Sequence, residues 1–236
     1  LALRAQTGEL AWHYQTIHHD IWDWDLPSHP LLVDITTENG KRPIVIALGK
    51  TGMVYTFHRD NGEPYFDIEE REVPTDGILG DQLSPTQPFP VKPPPLVRQG
   101  ISPDDAWGVT PYEREACREM IASARHGGMF TPMSTKGSIM YPQVGGGANW
   151  GGGAFDPERN ILIVPVAQVP FYVKLIPEEN VDKALAKTPM AGNPMGPPGL
   201  IKGTKYGLQQ KPLLSPLYTP CTEPPWSMLV AVDRIE

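Results

Sequence analysis

The sequence predicts an all-β fold in which short antiparallel strands recur along the chain. Residues 1–12 contain a strand, a Thr7-Gly8 turn and a second strand that closes on Trp12, which is a hairpin signal. A similar pattern returns in residues 52–66 around Asn61-Gly62, with aromatic residues in place of the tryptophan. Glycine (23) and proline (28) form roughly a fifth of the 236 residues, so many turns and few long helices are expected. Such irregular repetition favours the blades of a β-propeller.

Three more apolar segments fit the same repeat. They are predicted as strands over residues 43–48, 161–166 (after a turn at 156–160) and 228–233. The last strand stops in mid-pattern, and the chain begins at Leu1 with residues that already form a strand pattern. We therefore expect residues 1–236 to be part of a single domain, truncated at both ends.

Two proline- and glycine-rich stretches, 84–111 and 188–226, are predicted to be long surface loops or a lid rather than core. A short helix is predicted over 110–125, where it would pack a loop down. Thr110 suits the N-cap, Pro111 suits the first helical position, and Gly127-Gly128 would stop the helix.

Charge and hydropathy exclude several classes of partner. The net charge of −7 and the lack of a basic stripe disfavour nucleic acid and anionic membrane surfaces. No apolar run reaches 18 residues, and no signal-peptide pattern is visible in this sequence, which is expected to be a fragment. The two cysteines, Cys117 and Cys221, are too few for a disulfide scaffold or a thiolate metal site. They are either one disulfide of an oxidising compartment or two unrelated thiols.

The densest group of chemically useful side chains lies in residues 18–25. Two histidines, three aspartates and two tryptophans stand together there. A carboxylate beside aromatic walls suits a general base or a metal ligand. The alternative is plain alternation on a strand, with the aspartates facing water.

A lysine in a turn and a glycine-rich segment are further candidates for a binding site. Lys50 follows the apolar strand 43–48 in a turn, where a lone lysine is usually solvated surface. Six glycines surround Asn149 and Trp150 within residues 145–153. Glycine lets the backbone pass close to a flat ligand, and asparagine offers both a donor and an acceptor. The alternative for this segment is a flexible loop.

With these residues in view, the chain resembles the membrane-bound PQQ-dependent dehydrogenases of the glucose, quinate and shikimate group. The resemblance covers essentially the whole chain. The ordered motifs that carry it are residues 7–27, 49–52, 84–89, 107–108, 128–132, 149–152, 174–177 and 215–221. Both cysteines fall where members of this family also carry cysteine.

The resemblance implies an eight-bladed propeller that holds pyrroloquinoline quinone (PQQ) beside a calcium or magnesium ion. This chain resembles roughly three blades of it, so the isolated fragment is expected to be inactive. The parent enzyme would oxidise a sugar or polyol and pass electrons to ubiquinone at the periplasmic face of the bacterial inner membrane. Membrane contact would come only through segments that this chain lacks.

The resemblance also implies roles for individual residues. Asp23 matches the catalytic aspartate, which removes the hydroxyl proton and lies at the metal. Lys50 matches the cation that hydrogen-bonds the quinone oxygens and so acts in both catalysis and cofactor binding. Asn149 and Trp150 match a segment that lines the cofactor site. Asp25 and His19 are neighbours without an assigned role.

Two competing hypotheses remain at this point. The first is a non-catalytic propeller fragment or scaffold that kept the blades and lost the activity. The second is a periplasmic hydrolase that uses an Asp–His pair drawn from His18, His19 and Asp20. The hydrolase hypothesis explains neither Lys50 nor the segment around Asn149 and Trp150.

Overall fold

The computed structural model describes residues 1–78, 82–187 and 196–233. Strands dominate these ranges. They are β1 (Ala2–Leu3), β2 (Leu10–Trp12), β3 (Leu31–Thr37), β4 (Gly40–Leu48), β5 (Val54–His58), β6 (Ile68–Glu72), β7 (Thr86–Pro90), β8 (Gly100–Ile101), β9 (Gly127–Gly128), β10 (Ser138–Met140), β11 (Ala154–Asp156), β12 (Ile161–Ala167), β13 (Phe171–Pro177), β14 (Gly199–Leu200), β15 (Tyr206–Pro212) and β16 (Ser227–Val232). The predicted all-β class is confirmed.

The strands form three larger antiparallel sheets. Their strand orders are β3-β4-β5, β11-β12-β16 and β10-β13-β15-β14. The pairs β1-β2, β6-β7 and β8-β9 form two-stranded sheets. The predicted hairpin at the amino terminus is therefore present, with Gly8 at φ +73° in its turn. The predicted strands at 43–48, 161–166 and 228–233 correspond to β4, β12 and β16.

The sheet β3-β4-β5 lies between two parts of the core, because its residues alternate between the two faces. On β5, Val54 packs with Ile44, Ile46 and Leu162 into one apolar cluster. Tyr55 points to the other face, as do Met53 and Phe57, two residues before and after it. These three pack into a second apolar cluster with Trp22, Trp24, Met140, Phe171 and Val173. With both faces covered, residues 44–48 of β4 form a largely buried run that ends at Gly49. The turn that follows is thereby fixed close to the core.

The proline- and glycine-rich stretches are less superficial than predicted. Within 84–111, Val97 and Ile101 are only 5% and 4% exposed, and the stretch contributes β7 and β8. Within 188–226, residues 188–195 lie outside the described ranges, but β15 pairs with β13 over seven residues and Leu213 is 2% exposed. The prediction of surface loops is wrong for these parts, because apolar residues between the prolines supply core side chains.

Two α-helices occur in the described residues, α1 (Pro111–Ser123) and α2 (Val181–Lys187), with short 3₁₀ helices at Pro103–Asp105 and Glu178–Asn180. The predicted cap of α1 is confirmed, since Thr110 Oγ1 accepts a hydrogen bond from the Glu113 backbone N–H. The helix ends before the glycines, which instead pair as β9 with β8. The helix α2 is not among the elements predicted from the sequence. No helix in the described part of the chain combines the length and the apolar character that crossing a bilayer requires.

The helix α1 is joined to the segment after β15 by a disulfide. Cys117 and Cys221 are both fully buried and bonded, with their Cα atoms 5.3 Å apart. Nearby, Glu113 accepts hydrogen bonds from the hydroxyls of Ser215 (2.6 Å) and Thr219 (2.8 Å). The structure thus selects the single disulfide over two unrelated thiols. Covalent and polar links hold the same two segments together.

Replacing Cys117 and Cys221 by serine should lower the free energy of unfolding by ~2–4 kcal/mol, because the cross-link reduces the conformational entropy of the unfolded chain. Equilibrium denaturation of oxidised wild type and of the double variant measures the difference. Titration of thiols in the non-reduced, unfolded wild-type protein should detect no free thiol, because both cysteines are in the disulfide. Two titratable thiols would contradict the bond.

Candidate active site

Residues 18–25 wind around the carboxylate of Asp20 instead of forming a strand. Its two oxygens accept hydrogen bonds from the backbone N–H groups of Trp22 (2.8 Å) and Trp24 (2.7 Å). Both indoles point inward and are 1% exposed, whereas the side chains of Asp23 and Asp25 are 65% and 50% exposed. The alternation of buried and exposed side chains is real. A strand is the wrong explanation for it, because Asp23 has φ +68°.

The loop is anchored through its tryptophans. Trp22 donates its Nε1–H to the carbonyl oxygen of Thr131 (2.9 Å) and stands edge-to-face against Phe130. Trp24 Nε1, also buried, has no hydrogen-bond partner within the described residues. Burial raises the pKa of Asp20 above its usual value, although the hydrogen bonds from Trp22 and Trp24 oppose that shift. Asp20 therefore organises the loop.

Lys50 joins this loop from the turn after β4. Its Nζ lies 2.6 Å from Asp23 Oδ2 and 2.5 Å from Asp25 Oδ1. The lysine is 7% exposed, so it is not a solvated surface residue. Its backbone N–H also donates to the carbonyl oxygen of Asp25 (3.2 Å). The structure thus places Asp23 and Lys50, which the resemblance assigns to one site, in direct contact.

The charge on Lys50 is maintained by its neighbours. Burial acts to lower the pKa of Lys50, but the hydrogen bonds and negative charges of Asp23 and Asp25 outweigh it and raise that pKa above its usual value. The side chain is therefore a fixed ammonium at neutral pH. Such a group can stabilise an oxygen that gains negative charge during a reaction.

The glycine-rich segment 145–153 packs directly against the Lys50 turn. Ala148 donates its backbone N–H to the Gly49 carbonyl oxygen (3.1 Å). Gly147 has φ +58°, and a Cβ atom there would overlap the Lys50 carbonyl oxygen. The alternative of a merely flexible loop therefore fails, because backbone contact at this distance requires glycine.

Asn149 and Trp150 extend from this contact. Asn149 is half-buried and donates from Nδ2 to the Val144 carbonyl oxygen (3.4 Å), whereas Trp150 is 81% exposed. An open cleft beside them is lined by Gly145, Gly147, Asn149, Gly151 and residues of β12 and β16. The structure thus brings the Asn149–Trp150 segment to the Lys50 turn through their backbones, while the large indole of Trp150 remains uncovered.

Changing Gly147 to alanine should destabilise the chain by at least ~1–3 kcal/mol, the cost of one strained backbone position. The overlap with Lys50 adds to that cost. Gly151→Ala is the matched control, since a Cβ there meets only Pro165 at ordinary contact distance. We expect the control to remain within about 0.5 kcal/mol of wild type in chemical denaturation. Equal stability of the two variants would contradict the tight contact.

Several residues at the site were not singled out from the sequence. Gln99 donates from Nε2 to the Thr51 carbonyl oxygen (2.8 Å), and Leu96 donates its N–H to the Gly52 carbonyl oxygen (2.8 Å). These bonds fix the Lys50 turn to the proline-rich stretch, which had been predicted as a surface loop. Asp25 was noticed only as a neighbour. Asp25 stands two residues after Asp23 in the sequence, and this spacing could have indicated that both carboxylates contact Lys50.

The described contacts of His18 and Asp20 do not form an Asp–His catalytic pair. His18 Nε2 lies 2.9 Å from Glu70 Oε1, and both oxygens of Asp20 are occupied by backbone N–H groups. In the described residues, no group of three or more His, Cys, Asp or Glu side chains is close enough to hold a metal ion. Asp23 and Asp25 form the carboxylate pair that remains available near Lys50.

Comparison with known proteins assigns this architecture to a class. Residues 1–235 match the model of the PQQ "glucose/ethanol/alcohol dehydrogenase, beta-propeller domain" family, and the chain belongs to that family. It is 39% identical to quinoprotein glucose dehydrogenase of Escherichia coli K12, over 99% of this chain and 29% of that protein.

Two further relatives are named for other alcohol substrates. The chain is 34% identical to quinate/shikimate dehydrogenase (quinone) of Acinetobacter baylyi, over 99% of this chain and 29% of the relative. It is also 34% identical to the glycerol dehydrogenase large subunit of Gluconobacter oxydans, over 99% of this chain and 33% of the relative. The chain therefore spans about a third or less of the length of these curated relatives.

Proposed function

We propose that this chain is part of a PQQ-dependent dehydrogenase that oxidises a CH–OH group of a sugar or polyol. The single observation that carries the proposal is the buried ammonium of Lys50, held between the carboxylates of Asp23 and Asp25. The names of the relatives, which act on glucose, quinate or shikimate, and glycerol, support this class of substrate. We further propose that residues 1–236 form part of one propeller domain, with each of the three larger sheets corresponding to a blade.

The residues at the site fit PQQ chemically. PQQ is a flat orthoquinone with several carboxylates, so it requires a cation and an approach free of bulky side chains. Lys50 supplies a cation that is already buried and charged. The glycine-rich segment supplies exposed backbone next to it, and the buried Trp24 Nε1–H is an unused donor in the described part of the site. Lys50, Asn149 and Trp150 would hold the cofactor.

When bound, PQQ would supply the redox chemistry, as the acceptor of a hydride from the alcohol carbon. Asp23 acts as the base that receives the hydroxyl proton on a carboxylate oxygen, and its 65% exposed side chain can reach an incoming substrate. Lys50 Nζ would donate hydrogen bonds to the quinone oxygens of the cofactor, where negative charge develops. Asp20 keeps the Asp23 loop in shape through the backbone of Trp22 and Trp24.

We also propose that Asp23 is one ligand of a Ca²⁺ or Mg²⁺ ion. The oxygen chemistry is suitable, because both ions prefer carboxylate ligands. The trio of Asp23, Asp25 and Lys50 carries a net negative charge when both acids are ionised. A single carboxylate is too little to complete a coordination shell, so the remaining ligands would come from other parts of the protein, the cofactor or water. Transfer of electrons to ubiquinone and a periplasmic location follow from the family resemblance and belong to the same proposal.

The experiment uses the full-length protein, prepared without cofactor and then titrated with PQQ in the presence of calcium or magnesium. We expect saturable binding that perturbs the quinone absorbance, and dye reduction on addition of glucose, quinate or glycerol. A non-catalytic scaffold, which keeps the blades without the activity, is the alternative. Absence of both PQQ binding and dye reduction would support the scaffold and contradict the dehydrogenase.

A further inference from the structure

Lys50 has a second carboxylate partner, Asp25, whose role the proposed mechanism does not use. We infer that Asp25 is a positioning residue that keeps the Lys50 ammonium in place when Asp23 turns to substrate or to a cation. This inference rests on the proposed function of the same site. It assigns the two aspartates different tasks, although both lie at the same lysine.

Asp25 is tied to Lys50 more extensively than Asp23 is. Its Oδ1 lies 2.5 Å from Lys50 Nζ, and its carbonyl oxygen accepts the Lys50 backbone N–H. A Cβ on the preceding Gly49 would collide with the Leu26 side chain and lie 3.3 Å from the Asp25 carbonyl oxygen. The backbone at Asp25 therefore lies directly against the Lys50 turn. Asp23 reaches Lys50 through its side chain and is the more exposed of the two acids.

Charge compensation explains why a second acid is needed. A lysine that is 7% exposed is costly to keep charged without a counterion. When the Asp23 side chain turns to substrate or to a cation, it no longer contacts Lys50. Asp25 then remains as the counterion of the buried ammonium and keeps Lys50 Nζ in its position.

The test is a double-mutant cycle in the full-length protein, with Asp25→Asn and Lys50→Ala made singly and together. PQQ affinity is measured from quenching of tryptophan fluorescence without substrate, and turnover is measured separately at saturating PQQ. We expect Asp25→Asn alone to weaken PQQ binding and turnover by roughly tenfold or more, and to have no further effect once Lys50 is alanine. Asp25→Glu should restore part of the loss. Additive effects would overturn the inference, since Asp25 would then act independently of Lys50, for example as a metal ligand.

Asp34→Asn is the matched control. Asp34 also forms an ion pair, with Arg59 at 2.8 Å, and its side chain is 51% exposed compared with 50% for Asp25. It lies on β3, away from the Lys50 turn in sequence, and we expect its loss to leave PQQ affinity and turnover at the wild-type level. Thermal unfolding of every variant shows whether the fold is kept.

A second measurement separates this inference from the proposed function. Reductive methylation of the protein without PQQ, read by mass spectrometry, reports how firmly Lys50 is held. Methylation of Lys50 should be faster in Asp25→Asn than in wild type or Asp34→Asn. An unchanged rate would overturn the positioning role even if PQQ binds. Faster methylation in a protein that does not bind PQQ would retain the Lys50–Asp25 link and refute the dehydrogenase instead.

Discussion

Replacing Asp23 by asparagine in the full-length enzyme should reduce turnover at saturating PQQ by about 10²–10⁴-fold, the usual contribution of a positioned general base. Asparagine keeps the shape and can still accept a hydrogen bond from Lys50, but it cannot take up the alcohol proton. Cofactor binding should survive, because Lys50 and the glycine-rich segment are retained. The measurement is dye reduction after titration of each protein with PQQ in the presence of calcium.

The same change at Asp34 provides the control, since its ion pair with Arg59 is exposed. If the Asp23→Asn enzyme turned over at the parent rate once saturated, Asp23 would not be the base. The base would then have to be sought among Asp20, Asp25 and His19. Of these, Asp20 has both oxygens occupied by backbone N–H groups, which makes it the one most committed to structure.

Replacing Lys50 by alanine should lower turnover by about 10²–10³-fold, comparable to the loss of one donor to a developing oxyanion. PQQ affinity should also fall, but catalysis should suffer at least as much, because the hydrogen bond strengthens as negative charge develops. In this variant Asp23 and Asp25 also lose the ammonium that they share. Measured together, the dissociation constant of PQQ and the turnover at saturation separate the two effects.

Lys41→Ala is a suitable control, because Lys41 lies on β4, the strand that leads to the Lys50 turn. Lys41 is exposed near the start of β4, whereas Lys50 is buried just after its end. We expect the Lys41 variant to match wild type in both quantities. A Lys50→Ala enzyme with weak PQQ binding but unaltered turnover at saturation would restrict Lys50 to cofactor binding and remove it from the chemistry.

Local sequence signals were sufficient for much of the secondary structure. The turn at Thr7-Gly8, the cap at Thr110 and the apolar run ending at Leu48 each depend on residues close together in the chain, and each is found where predicted. The same signals failed in the proline-rich stretches. Proline and glycine indicate irregular backbone, but burial of Val97 and Ile101 depends on which distant sheet covers them.

The site shows the same division between local pattern and tertiary structure. By itself, the sequence predicts Asp23, Lys50, Asn149 and Trp150 as site residues, through the motifs that this chain shares with a family. It could not establish that Asp25 shares the Lys50 ammonium. That contact joins residues far apart in the chain and depends on the loop wound around Asp20.

Tertiary structure also bears on two alternatives that the sequence leaves open. The sequence left Cys117 and Cys221 as either a disulfide or two thiols, and it left residues 145–153 as either a ligand-lining segment or a flexible loop. Packing of α1 against the segment after β15 brings the two cysteines together. Packing of the glycine-rich segment against Lys50 makes Gly147 a close backbone contact. Local periodicity carries no information about such contacts, because they form only when sheets and loops from distant parts of the chain bury a common core.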